Sequence, residues 1–282
     1  MHWKANCLAL VLSVLAGCSS ARTVSLGELG GLSEGATARF LYPSAGGNAE
    51  GYITRPRGNG PFPLMVLLHG HSLVGRGAKQ VLPAAAAFAN DICYASLAVS
   101  LPGYGGTEMT GGPTTEATRQ VVLDAVALAR RLPWVDPQRL YVYGFSRGAV
   151  VAAALINHLD GLKGALFLSG AYDLPRLYQD TSSLWLRRLL NPNGDSEPKL
   201  FNLLAEVEKW PSSTLILHGV KDMLVPVSQA TLLRELLASL GKPHRLVLFP
   251  EHGHWLPLRE VKDKAIAFLN ENGGSACPAN DP

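Results

Sequence analysis

The chain has 282 residues, with 25 lysines and arginines against 22 aspartates and glutamates, for a formal charge of +3. The basic residues are scattered, no run exceeding the pairs Arg130–Arg131 and Arg187–Arg188, so no basic stripe offers a nucleic-acid surface. Four cysteines (Cys7, Cys18, Cys93, Cys277) without a CxxC pair exclude a disulfide scaffold and a zinc knuckle.

The N-terminal "MHWKANCLALVLSVLAGCSSA" has a basic start (His2, Lys4), an apolar run from Cys7 to Ala16, then small residues. That is the pattern of a secretory signal, and the run is too short for a permanent membrane span. The tail "LAGC", Leu15 to Cys18, resembles the lipobox of bacterial lipoproteins, in which the cysteine becomes the lipidated first residue. An ordinary signal peptide with a chance cysteine is the alternative. With Ser19 next, the resemblance implies outer-membrane anchoring in a Gram-negative envelope, facing the periplasm. Residues 1–17 are thus expected to be removed, and 18–35, small and polar, to tether a soluble body to the lipid.

Two strand-like pieces, "ATARFLYPS" and "AEGYITRP", flank "AGGN", a hairpin signal. "FPLMVLLHG" is a continuous apolar run of the kind buried on both faces of a sheet. A helix is expected over 78–90, and "CYASLAVSLPGYGG" gives a buried strand running into a glycine-rich loop. Apolar positions recur at helical spacing from Thr115 to Leu132, ended by "WVDPQ" as a turn. Further strands are expected at 139–145, 164–169, 214–219 and 245–249, and helices at 147–159, 228–240 and 258–272. Residues 171–213 break the rhythm with two amphipathic pieces, "SLWLRRLL" and "LFNLLAEVEKW", read as a cap inserted over the sheet's C-terminal edge. The alternation predicts an α/β fold over 36–272, mostly parallel, with helices on both faces and a tail at 273–282.

"YVYGFSRGAVVAAALI" turns from strand to helix at Gly144-Phe145-Ser146-Arg147-Gly148. A tight turn exposes the serine hydroxyl and aims the first helical N–H groups at a reacting carbonyl; its crowding suits glycine at both flanks. This G-x-S-x-G in strand–turn–helix context makes Ser146 the candidate nucleophile. An acid and a histidine should follow, each after a later strand. "TLILHGVKDMLVP" supplies Asp222, with Asp173 of "SGAYDLP" as competitor; "LVLFPEHGHW" supplies His252 and His254. The acid would fix the imidazole tautomer and the imidazole would take the serine proton.

With these residues in view, the chain resembles the α/β-hydrolase family over nearly all of 36–272. The blocks "WVDPQRLYVYGFSRGA", "HGVKDMLVP" and "FPEHGHW" look like its prolyl-oligopeptidase and dienelactone-hydrolase branch. The branch's proline-x-x-Gly-His pattern falls on Pro250, Gly253 and His254, making His254 the catalytic histidine and His252 a neighbour. "LLHGHS" matches the family's oxyanion element, implying the amides of His71 and Arg147 as donors. The resemblance implies a serine hydrolase, foremost a carboxylesterase, with a serine peptidase or aminoacyl amidase as alternative, acting on a small ester or amide without cofactor or metal. Two departures from what the resemblance implies stand out: dienelactone hydrolases use a cysteine nucleophile where this chain has Ser146, and the residues before 36 leave no room for the propeller that prolyl oligopeptidases carry. Trp185, Leu186, Leu189, Leu190 and Trp210 are candidates for an acyl pocket or, alternatively, plain core. The fold of the family also implies that Cys93 and the tail bearing Cys277 reach the same face, where export would let a disulfide persist; a buried Cys93 and a free Cys277 are the alternative. Two other readings carry weaker support. The two HGH sequences and His218 with Asp222 match zinc-ligand spacing but leave the serine turn unexplained. A non-catalytic binding lipoprotein would be expected to have lost a triad member.

Overall fold

The structure, a computed structural model, describes residues 25–273 and Cys277, except 192, 197, 211 and 212. The signal segment and Cys18 lie outside the described residues. Eight strands form one sheet: β1 (Thr37–Ser44), β2 (Gly47–Thr54), β3 (Phe62–Leu68), β4 (Ala95–Val99), β5 (Val135–Phe145), β6 (Leu162–Leu168), β7 (Ser213–Gly219) and β8 (His244–Phe249). Their order across the sheet is β1-β2-β4-β3-β5-β6-β7-β8. β1 and β2 form the hairpin, β2 meets β4 antiparallel, and every other pairing is parallel. β5 begins four residues before the expected strand, because Val135 pairs with Phe62 and draws "WVDPQ" into the sheet.

Both faces are covered. Along β3 every side chain is buried, with Leu64, Val66 and Leu68 facing one core and Met65 and Leu67 the other. That two-sided burial is why the run is apolar throughout rather than alternating. Helices α2 (Leu82–Ile92) and α8 (Leu258–Asn272) cover one face. The other carries α3 (Glu116–Ala129), α4 (Arg147–Leu155) and α7 (Ser228–Ser239). The stretch read as a polar tether contains a one-turn helix, α1 (Leu26–Gly30), closed by a Ser25–Glu28 capping box, and its Leu29 is fully buried in the core. The apolar Leu29 outweighs the glycines around it, so the ordered body starts earlier than residue 36.

Between β6 and β7 the chain leaves the sheet for a cap made of α5 (Leu174–Asp180), α6 (Leu184–Leu190) and a 3₁₀ turn at Leu203–Lys209. Cys93 ends α2 in a left-handed conformation and is disulfide-bonded to Cys277, with the α-carbons 4.9 Å apart. Among the described residues no helix is long and apolar enough to cross a membrane. The loops after the parallel strands all open at one edge, where ligands of such sheets bind.

Candidate active site

Ser146 sits at the turn from β5 directly into α4. Its backbone sits at φ 53°, ψ −116°, a conformation that costs a non-glycine residue roughly 1–3 kcal/mol. The turn is held by the Ser146 N–H donating to the Leu168 carbonyl at 2.8 Å, and α4 starts at the next residue. The flanking glycines are required by close approach. A Cβ on Gly144 would lie 2.5 Å from the Gly148 carbonyl oxygen, and one on Gly148 would strike the backbone of Leu68.

His254, on the loop after β8, joins the serine to an acid. Its Nε2 lies 2.8 Å from Ser146 Oγ and its Nδ1 2.8 Å from Asp222 Oδ2. The other carboxylate oxygen of Asp222 accepts the N–H groups of Leu224 and Val225, both at 2.9 Å, so the acid is fixed by its own loop. The Asp222 side chain is fully buried and that of His254 nearly so. His218, at the end of β7, donates from Nε2 to the Val225 carbonyl at 2.9 Å, bracing the same loop. Burial pushes its pKa down, which keeps it the neutral neighbour of Asp222. The alternatives are placed elsewhere: the His252 ring packs edge-on against Phe249, and Asp173 caps α5 by accepting the Arg176 N–H at 3.0 Å.

The HGH of the β3 loop divides its tasks. His69 is fully buried and in one tautomer satisfies both ring nitrogens, donating to the Gly70 carbonyl (2.7 Å) and accepting the Leu101 N–H (3.0 Å). Burial, with a smaller contribution from the Arg147 charge, lowers its pKa to about 4. His71 faces the cavity: its Nδ1 lies 2.5 Å from the Tyr104 hydroxyl, and its ring packs at a tilt against Trp185, 5.1 Å between centres. Arg147, as the first residue of α4, has an N–H without an intrahelical acceptor, beside the serine. His71 on the β3 loop and Arg147 at the start of α4 both line the cavity that holds Ser146.

Sequence reasoning missed three contributors. Tyr104 comes from the glycine-rich loop after β4. That loop is anchored by the Glu50 carboxylate, which accepts from Arg39 and Tyr52 at 2.8 Å and from the Gly106 amide. Burial works to raise the Glu50 pKa, and these donors outweigh it and lower it. Ser169, buried at the end of β6, donates to the His254 carbonyl at 2.9 Å and pins the histidine loop. Trp255 lines the mouth beside Phe145, 5.0 Å away. A "PGYGG" following a buried strand was the available signal for Tyr104; nothing local marks the other two.

A cavity of about 700 Å³ opens over Ser146. Trp185, Leu186, Leu189 and Leu190 of α6 line it, with Leu174 and Leu177 of α5 and Leu224 and Val225 of the acid loop. Trp210 does not. It is 2 % exposed and packs at 5.5 Å against Phe167, a core residue that tethers the 3₁₀ turn to β6. Its candidacy for the pocket therefore fails.

The chain matches the prolyl oligopeptidase family over residues 114–274, more than half its length. It is 25% identical over 232 residues to the uncharacterized peptidase YtmA of Bacillus subtilis, covering 78% of this chain and 87% of that protein. Against the uncharacterized peptidase YuxL of the same organism it is 26% identical, but spans only 36% of that longer chain. Among solved structures, the Pyrococcus horikoshii acylaminoacyl peptidase shares the fold at TM-score 0.70 and 17% identity, over 89% of this chain and 43% of that one. A Thermogutta terrifontis esterase does so at TM-score 0.68 and 19% identity, over 86% and 97%. A serine at the strand–helix turn, in a sheet shared with esterases and peptidases alike, marks a serine hydrolase of one kind or the other, and the chain belongs to the prolyl oligopeptidase family.

Proposed function

We propose that the protein is a carboxylesterase working through an acyl-enzyme. Ser146 Oγ attacks the ester carbonyl while His254 Nε2 takes its proton. The tetrahedral oxyanion is held by the N–H groups of Arg147 and His71. The same imidazolium gives the proton to the departing alcohol, and water then repeats the sequence to release the acid. Asp222 keeps Nδ1 protonated and stabilises the transient charge. The observation that carries this reading is the continuous chain Ser146–His254–Asp222, with both links at 2.8 Å.

Ester rather than peptide is favoured by what surrounds the serine. The cavity walls are largely aliphatic and aromatic, and among the described residues lining it none is an aspartate or glutamate. A free substrate amino group would find no counter-charge there. The second reading, an amidase or peptidase, is supported by the family and by the peptidase relatives, since the same acyl-enzyme serves both bonds. Turnover of acyl esters of graded chain length, beside N-blocked and free aminoacyl amides, separates them. Faster amide than ester hydrolysis would overturn the esterase reading.

The chain is further proposed to be exported and held in the bacterial envelope by acyl chains on Cys18, with the membrane a partner through that anchor alone. Support comes from the lipobox-like Leu15–Cys18 at the end of an apolar run. Cys18→Ser should abolish lipid mass and membrane partition; a wild-type chain found soluble in the periplasm without lipid would contradict it.

A further inference from the structure

The walls of the cavity differ on the two sides of Ser146. On one side stand the loops after β6 and β7, which contribute Leu174, Leu177, Leu186 and Val225, all buried. On the other stand the loop after β3 and the start of α4, which contribute the polar His71, Arg76, Gln80 and Arg147 beside the exposed Leu73 and Val74 at the mouth. Because β5 lies between β3 and β6, this division follows from strand order and places the nucleophile at the boundary.

Arg147 carries the argument. Its Nη2 donates to the Gly111 carbonyl at 2.6 Å and its guanidinium lies 5.6 Å from the centre of the Tyr104 ring. Its Nε is buried with no hydrogen-bond partner, and no carboxylate pairs with it among the described residues. A partly buried guanidinium is costly without a counter-charge, and here only a carbonyl dipole and a ring face stand against that cost. Burial lowers its pKa, the same imbalance seen from the proton's side. Arg76, exposed on the same wall, also has no ion-pair partner among the described residues.

We propose that the substrate is a single-chain anionic amphiphile: an ester whose apolar acyl chain lies against the cap and whose alcohol carries a carboxylate or phosphate facing Arg147 and Arg76. The assignment of ends follows from the chemistry of the acyl-enzyme. The acyl chain must stay while the alcohol leaves, and the cap side offers the buried apolar Leu174, Leu177, Leu186 and Val225 whereas the arginine side opens to solvent at Arg76. The mouth suits an amphiphile as well. Leu73, Val74 and Trp255 line the cavity from two loops and yet are 84 %, 76 % and 67 % exposed, so an apolar chain meets apolar surface before it enters.

This inference rests on the esterase reading, and the test separates the two. Four decanoyl esters, kept below their aggregation concentrations, differ only in the alcohol: glycerol 3-phosphate, glycolate, glycerol and choline. With the wild-type enzyme kcat/KM should run anionic, then neutral, then cationic. The anionic preference should be about tenfold at low salt and narrow as ionic strength rises. Comparing phosphate with carboxylate tells which anion is preferred. Arg147→Gln and Arg76→Gln should each shrink the anionic-to-neutral ratio to threefold or less; the ratio is the readout because damage to the serine turn slows all four esters alike. Equal or faster hydrolysis of the glycerol ester by the wild type, or a ratio that survives both substitutions, would overturn the anionic assignment and leave the esterase standing. Failure to cleave any of the four while amides are cleaved would overturn both.

Discussion

At Ser146 the backbone is strained, a glycine stands two residues away on either side, and the hydroxyl lies 2.8 Å from an imidazole. Each of these features has its own test. Ser146→Ala should lower kcat by about 10⁵-fold or more, with stability nearly unchanged, measured on any ester the wild type accepts. His254→Ala should be of similar severity, whereas His252→Ala, whose ring lies against Phe249, should stay within about tenfold of wild type. Gly148→Ala tests the packing rather than the chemistry. The added methyl meets the backbone of Leu68, which cannot rotate away, so a loss of about 3 kcal/mol or more is expected in denaturant unfolding. A Gly148→Ala enzyme of wild-type stability would show that the turn can widen.

The elements show what could be read in advance. Strands buried on both faces announce themselves by unbroken apolar runs, as at Phe62–Leu68, and the helix over Glu116–Ala129 by its 3.6-residue period. The serine turn was legible because its glycines, its strand and its helix are contiguous. What was not legible depends on distant contacts. Leu29 is buried only because the sheet provides a surface for α1, and α5 was passed over although Asp173 and Pro175 mark its start. Asp173 and Asp222 both follow strands, and only the fold shows that one caps a helix while the other meets His254. Ser169 and Tyr104 reach the site from loops with no catalytic motif of their own. For the cap, Trp185→Ala should shift the acyl-length optimum of kcat/KM by two or more carbons, since the ring lines the cavity and packs at a tilt against His71. An unchanged length profile would return Trp185 to a structural role.

The whole molecule is closed by the Cys93–Cys277 bridge, which spans 184 residues and ties the chain end to the start of β4, opposite the active-site edge. Cys277→Ser should lower unfolding free energy by about 2–5 kcal/mol while leaving kcat/KM within about twofold. Stability should also fall in mild acid. His69 is neutral in the fold with a pKa near 4, so the unfolded chain binds its proton first as pH drops below about 6.5. Its contribution is complete above that value and is lost on descending toward 4. His218, buried and lowered likewise, acts in the same direction. A Tm profile in half-unit steps should decline across this window, and His69→Gln should start lower at pH 7 but decline less; a wild-type profile flat from 6.5 to 4 would contradict the neutral, buried assignment.

The central claim is that one serine, activated through His254 and Asp222, does the chemistry. The direct measurement is peptide mapping by mass spectrometry after treatment with a fluorophosphonate, alongside ester turnover. A single phosphonyl adduct should appear on the peptide holding Ser146, with activity lost in proportion to labelling. The adduct should be absent in Ser146→Ala and slowed by orders of magnitude in His254→Ala. Full ester hydrolysis by Ser146→Ala, or stoichiometric labelling at another residue with Ser146 unmodified, would contradict the account.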